Sequence, residues 1–366
     1  MDRWIEVDLA AIAHNVKIIK AQAPKSQLMA VVKADAYGHG LIEVSKAARQ
    51  AGAEWLGTAL FEEALTLRES GDSKKILTWL GDQSADFAQA IEKDIDLAIS
   101  TFSHLEKAKV AATKLNKKAN LHLKIDTGLN RNGVSLADLP KLLEAISQTT
   151  SVNLAGIMSH FAFPDDPSSE VNHQQIVKFT EIIKSFDQPI FSHMANSMAT
   201  LDLPQSHFDL VRPGISVYGL HPSGNLEKAK ALTLKPALSL KAKIVNLKAV
   251  AAEQGVSYNH TYRTKEQTNL AVIPLGYSDG IDRRAANAAA VAIGGKSYKI
   301  SGRICMEQFV VDVGADFQDQ AATVTLFGDS STGVPSVEDW AQAVGTINYE
   351  IISRLATRIK RVYLNQ

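Results

Sequence analysis

The residues best suited to chemistry fall in one stretch, Val31-Val32-Lys33-Ala34-Asp35-Ala36-Tyr37-Gly38-His39-Gly40. An apolar run, Leu28 to Val32, leads straight into a lysine, and Tyr37 and Gly-His-Gly follow. This pattern predicts a buried strand that ends at Lys33 and opens into a tight loop. A lysine at such a place either snorkels to the surface or serves as a nucleophile. Burial lowers its pKa, frees the amine and suits it to Schiff-base formation.

Other groups join it at the ends of later apolar runs. Lys124 and Asp126 lead into Thr127-Gly128-Leu129-Asn130-Arg131, Ser159 precedes His160, His193 precedes Asn196-Ser197, and Arg212 precedes Pro213-Gly214-Ile215. Gathered on one rim, these side chains form a cationic pocket for an anionic ligand. Ser197 and the Gly214 and Ile215 amides offer donors to a phosphate. A metal hydrolase is the competing reading of histidines on such strands. It wants H-x-H after the first strand and an aspartate after the eighth, and the sequence has neither.

The elements that must position these groups repeat as a unit: a short apolar run, a turn, then a helical pattern. The runs are Leu28–Ala34, Trp55–Ala59, Lys75–Leu80, Leu97–Thr101, Asn120–Asp126, Leu154–Phe161, Ile190–Ala195 and Leu210–Tyr218. Helical patterns such as Glu62–Ser70, Phe102–Leu115, Leu136–Thr149 and His173–Phe186 separate them. The fold class is α/β, an N-terminal (β/α)8 TIM-like barrel. An open dinucleotide-binding sheet wants G-x-G-x-x-G after an early strand, and none is present.

Near Asn225–Lys235 the pattern changes to strands and tight turns: Ala237–Leu247, Asn269–Pro274, Val291–Ile293, Tyr298–Ile304, Phe309–Val313 and Thr323–Phe327. Helices at Val337–Val344 and Tyr349–Leu355 and a strand at Ile359–Leu364 close the chain. The expected domains are a barrel over 9–230 and a mainly β domain over 231–366. The strand before Asp8, which caps the first helix, is expected to pack with the second domain.

The chain has 366 residues, 45% of them apolar, and no net charge. That suits a large core and gives no reason to expect nucleic acid or an acidic membrane surface as partner. A single cysteine, Cys305, fits a reducing compartment. No basic and apolar leader opens the sequence and no run could span a bilayer, so a cytoplasmic protein is expected.

Taken in order, the segments resemble those of the bacterial alanine racemases, fold-type III enzymes that use pyridoxal 5'-phosphate (PLP). The resemblance rests on Val32 to Gly40, Lys124 to Gly133, Ser159-His160-Phe161-Ala162, His193 to Ser197 and Val211 to Leu220. The second half adds Val256-Ser257-Tyr258, Gly276-Tyr277-Ser278-Asp279-Gly280 with Arg283-Arg284, Gly302-Arg303-Ile304-Cys305-Met306 and Asn348-Tyr349-Glu350-Ile351. It covers essentially the whole chain.

The resemblance implies a homodimer that interconverts L- and D-alanine with two bases and supplies D-alanine for peptidoglycan. Lys33 would hold PLP as a Schiff base and act as one base, and Tyr258 would reach across from the partner subunit as the other. His160 and Arg212 would assist that tyrosine through hydrogen bonds, and Arg212 would face the cofactor ring where many PLP enzymes place a carboxylate. Tyr37, Asn196, Ser197, Gly214, Ile215 and Tyr349 would complete the cofactor site. Arg131 and the Met306 amide would hold the substrate carboxylate. Lys124 stands where many relatives carry a carbamylated lysine. Cys305, Glu307, Tyr277, Asp165, Arg283 and Arg303 would support the site and its access corridor, with no metal. Glu307 departs from the family's usual aspartate. A related PLP decarboxylase, a broader racemase and a non-catalytic PLP-binding barrel remain as alternatives.

Overall fold

Asp8 ends one strand and starts one helix. Its carboxylate accepts from the Ala10 and Ala11 amides, which fixes the start of helix Leu9–Gln22. The fold is seen in a computed structural model that describes residues 2–81, 84–163 and 166–365. Strand β1, Arg3–Asp8, pairs antiparallel with β10, Leu238–Lys243, and parallel with β19, Lys360–Leu364. The first strand of the chain is therefore built into a sheet made of its last third.

The next eight strands form the barrel. They are β2 (Gln27–Val31), β3 (Trp55–Thr58), β4 (Lys75–Thr78), β5 (Asp96–Ile99), β6 (Ala119–Lys124), β7 (Val152–Met158), β8 (Ser192–His193) and β9 (Leu210–Val211). Neighbours run parallel from β2 to β8, and β9 returns to pair with β2. Asp209 N–H to Ser192 O and Arg212 N–H to Ala195 O join the last two strands, so the ring is nearly closed. Met29, Trp55, Leu77, Ala98, Met158 and Leu210 fill its interior. The larger core lies between the strands and their helices and continues under the β domain.

That domain holds a six-stranded sheet of β16 (Lys296–Lys299), β15 (Ala290–Ile293), β18 (Thr323–Phe327), β10, β1 and β19. A three-stranded sheet joins β11 (Asn246–Val250), β14 (Thr268–Ile273) and β17 (Phe309–Asp312), and a short pair joins β12 (Gly255–Val256) and β13 (Tyr262–Arg263). The run read as one strand over Ala237–Leu247 is two, β10 and β11, in different sheets. The helix expected at Val337–Val344 has those bounds, with Ser336 and Asp339 forming a capping box.

The barrel strands are shorter than the apolar runs of the sequence, and at two of them the site shows why. β9 stops at Val211, because Pro213 has no N–H to continue a ladder, and residues Ile215–Tyr218 form a 3-10 turn instead. β2 stops at Val31, and Lys33–Tyr37 form a tight helical turn in which Ala34, Asp35, Ala36 and Tyr37 all have φ between 52° and 54°. A left-handed turn of side-chain-bearing residues costs roughly 1–2 kcal/mol per residue. Its surroundings hold it: Glu63 accepts from the Ala34 amide, Asp35 accepts from the Leu41 amide at 2.8 Å, and Arg361 donates to Gly38 O at 3.1 Å. Strain of this kind clusters at active sites and ligand clamps, which makes the turn carrying Lys33 a candidate functional element.

Candidate active site

The turn carries Lys33 to the barrel mouth, where a cavity of about 700 Å³, open solvent included, is lined by Lys33, Tyr37, Lys124, Arg131, His160, Asn196, Ser197, Arg212, Gly214, Ile215 and Tyr349. Val31, Trp79 and Met158 complete the lining. No acidic residue is among them. Every cofactor-site residue expected from the sequence is gathered here, as are Arg131 and Lys124.

Crowded basic groups and burial depress one another's proton affinity. The Lys33 pKa lies below its ordinary value, chiefly through burial and then through Arg131, with Glu63 opposing. Lys124 is pushed down to about 8 by burial and by Arg212 and Arg131. Burial and the same arginines hold His160 well below the imidazole range, so it is neutral at pH 7. Burial lowers Arg212 to about 9 and raises the Tyr37 phenol, which stays a neutral donor. A cavity of this character calls for an anion.

The hydroxyl-rich end has the donors for a phosphate. Asn196 caps the short helix Ser197–Asp202 through the Ala199 amide at 3.0 Å. The Gly214 amide donates to Ser197 Oγ at 2.8 Å, which leaves the serine's own proton to donate elsewhere. A Cβ on Gly214 would lie 2.4 Å from the Tyr37 hydroxyl, so only glycine lets that phenol approach the backbone so closely. Tyr37 in turn packs between Tyr218 and Tyr349.

Arg212 is anchored rather than loose. Its guanidinium donates to His193 Nδ1 at 2.8 Å, Ser159 O at 2.7 Å and Met194 O at 3.2 Å. The expected chain from Arg212 through His160 to Tyr258 is not formed within one chain: among the described residues, no hydrogen bond joins His160 to either. The close partner of Arg212 is His193, which the sequence placed on the rim without a role. The signal for a neighbour deeper in the barrel is the alternation Asn120, His122, Lys124 on β6, which puts all three side chains on one face.

The remaining expected residues form a second cluster on an outer face of the β domain. Tyr258 is 68% exposed, Met306 54% and Tyr277 42%. Ser257 Oγ donates to Arg303 O at 2.6 Å and lies 3.5 Å from Cys305 Sγ. Tyr277 N–H donates to Cys305 O, and Ser278 N–H to Met306 O. A Cβ on Gly276 would fall 2.1 Å from Met306 O, which is why the two loops can lie so close. Arg283 sits over the Tyr277 ring at 5.8 Å. Glu307 accepts from Ser278 Oγ at 3.0 Å and from Arg358 at 2.7 Å. None of these residues lines the cavity of its own chain. Asp165 lies outside the described residues.

Residues 7–222 match the alanine racemase N-terminal domain and residues 237–363 the alanine racemase C-terminal domain. The chain belongs to the alanine racemase family. It is 46% identical over 365 residues to the alanine racemase of Frankia casuarinae, covering 98% of this chain and 95% of that one. Its fold is similar to the crystal structure of alanine racemase from D-cycloserine producing Streptomyces lavendulae, with a TM-score of 0.97, 43% identity and coverage of 100% and 98%. The alanine racemase of Bartonella henselae, solved with covalently bound pyridoxal phosphate, aligns over 100% of both chains at 28% identity and a TM-score of 0.89.

Proposed function

We propose that the protein is a PLP-dependent alanine racemase that interconverts L- and D-alanine as a homodimer with shared active sites. The observation that carries this reading is the buried, acid-free cavity with a lysine of lowered pKa at its rim. It fits an anionic, carbonyl-bearing cofactor. Lys33 would hold PLP, and Tyr37, Ser197, Gly214, Ile215, Tyr349 and Asn196 would surround its phosphate end. Bound there, PLP would act as the electron sink that makes an amino acid's Cα–H acidic. Arg131 would receive the substrate carboxylate together with the Met306 amide.

Racemisation needs a proton carrier on each face of Cα. Lys33 supports one. Tyr258 stands exposed on the β domain, outside the cavity of its own chain and free to reach another. We assign the second base to Tyr258 of the partner subunit, with Cys305, Glu307, Tyr277, Arg283 and Arg303 around it. Arg212, a cation, favours a racemase over a PLP decarboxylase, for which an acid is expected at the ring. Tyr349 limits the room beside the cofactor and favours alanine, with serine slower; discrimination so small is worth about 1–3 kcal/mol.

The reading extends to a barrel domain over 9–230 and a β domain over 231–366, to a cytoplasmic location and to supply of D-alanine for peptidoglycan. Among the described residues, no helix is long and apolar enough to cross a membrane.

The test is deuterium incorporation at Cα of each alanine enantiomer in D2O. Wild type should label both, and Tyr258→Phe should lose exchange chiefly from L-alanine. Wild type that takes up PLP yet labels neither enantiomer would bring the binding-protein reading forward.

A further inference from the structure

The polar interior of the barrel continues below the cavity. Behind Arg212, His193 Nε2 lies 2.8 Å from His122 Nδ1. His122 Nε2 lies 3.5 Å from Asp96 Oδ2, a long charge contact, with no closer partner. Asp96 receives Lys75 Nζ at 3.0 Å and Asn120 Nδ2 at 3.3 Å. Arg212, His193, His122 and Asp96 are all buried. Lys75 and Asp96 begin their strands and Arg212 follows the end of its own, so the row runs the length of the barrel. Trp55 and Phe191 press on His122 edge to face, within an apolar cluster that includes Met29, Leu77, Ala98 and Leu210.

The protons in this row have one arrangement that satisfies every contact. A guanidinium has donors only, so His193 Nδ1 must carry a lone pair. Burial and Arg212 hold His193 well below the imidazole range, so the ring is neutral and its one proton is on Nε2. That proton points at His122 Nδ1, which must accept. His122 then carries its own proton on Nε2, facing Asp96. A proton on the other nitrogen of either ring would bring two N–H groups together or leave Asp96 opposite a lone pair.

We propose that Arg212, His193 and His122 form a one-way chain of donors that ends facing the Asp96 carboxylate, with both rings locked in one tautomer, and that this row fixes the Arg212 guanidinium at the cavity floor. His122 and Asp96 are then positioning residues that act on the site from the far end of the barrel. The proposal rests on the reading of the cavity as a PLP site. Its physical basis is that a buried charge is held in one geometry only when its partners are themselves satisfied.

The first measurement is the ring 15N spectrum of histidine-labelled protein, with and without PLP, assigned with His193→Gln and His122→Gln. Both rings should carry a proton on Nε2 and none on Nδ1, and His193 should stay so from about pH 6 to 9, a range that spans an ordinary imidazole's titration. A proton on Nδ1, or a charged ring, at either position overturns the chain.

The second measurement is made on PLP-loaded Asp96→Asn and Asp96→Leu. Asparagine keeps an acceptor for His122, whereas leucine does not. The leucine variant should shift the cofactor's visible band and lower kcat about 10-fold, with KM for alanine within about twofold, as for outer-shell residues elsewhere. The asparagine variant should recover most of both. Loss of stability in either variant with an unmoved band and unchanged kcat would make Asp96 structural and overturn the positioning role. Wild type with the expected tautomers that takes up no PLP would overturn the underlying reading of the cavity instead.

Discussion

The barrel mouth and the outer face of the β domain hold equally reactive residue types in opposite settings. At the mouth, Lys33, Lys124, His160 and Arg212 are enclosed; burial lowers the pKa of each, and repulsion by neighbouring cations adds to it for the first three. On the β domain, Tyr258, Tyr277 and Met306 are exposed, though the backbone beneath them is tightly tied by Ser257, Gly276 and Ser278. Rigid support under exposed side chains is what an interface needs: the residues are held in place without being covered. The contrast teaches that enclosure can prepare one base within a single chain; on the proposed reading, the opposed base comes from a surface shaped in advance and covered by assembly.

The comparison breaks most sharply on subunit mixing. Lys33→Ala alone should lose activity by roughly 10⁴-fold, the upper range for a general base, and Tyr258→Phe by about 10²-fold or more. If the two faces belong to one site across a two-fold interface, random mixed dimers of the two variants regain one intact site each. Unfolding and refolding the variants together should therefore restore roughly a quarter of wild-type activity. Activity no higher than the sum of the separate variants would place both bases in one chain.

The two regions also differ in how far the sequence exposed them. The barrel was legible because its apolar runs recur with helices between them and because its chemistry stands at strand ends. The strand ends themselves were not. A left-handed turn of Ala34, Asp35, Ala36 and Tyr37 defies local propensity and exists because the distant Glu63 and Arg361, with Asp35 bonding to the Leu41 amide, hold it. The row His193, His122, Asp96 was hidden for a different reason. Lone histidines in strands look alike in sequence, and only barrel closure brings β5, β6 and β8 side chains into line. The β11 break after β10 is marked in sequence only by the adjacent Ile244 and Val245, and alternation does not announce which sheet a strand will join.

A middle-sized effect concerns Lys124 and proton linkage. Its folded pKa, about 8, is below the unfolded value, so unfolding takes up a proton between about pH 8 and 10.5. Stability of the PLP-free protein should rise with pH through that window and bear the full penalty below it, on the order of 3 kcal/mol. Denaturant midpoints of wild type and Lys124→Met in CO2-free buffer test this: the substitution should flatten the slope and raise neutral-pH stability. Added 13C-bicarbonate should do the same for wild type. Attack of the Nζ lone pair on CO2 with loss of an N–H proton gives a carbamate, whose anion offsets Arg131 and Arg212. A carbamate carbon signal that persists in Lys124→Met, or no stabilisation of wild type, would remove carbamylation as the relief.

The smallest effect belongs to the exposed face. Glu307 takes Ser278 and Arg358, and its carboxyl is held below the usual range first by the Arg358 hydrogen bond and then by Ser278. Arg358 also donates to Asp279 at 2.8 Å, so it keeps an anionic partner when Glu307 is shortened. Exposed pairs with a second partner contribute little. Glu307→Asp should therefore change kcat/KM for alanine by less than about fivefold, while Arg358→Ala, which takes the shared guanidinium from both carboxylates and leaves Asp279 to Arg3 and Glu307 to Ser278, should do more. The comparison sharpens if the Glu307 effect falls on KM, since the adjoining Met306 amide is assigned to the substrate carboxylate. It breaks if kcat alone falls by orders of magnitude, because a residue so exposed in one chain would then have to act on the proton transfer itself.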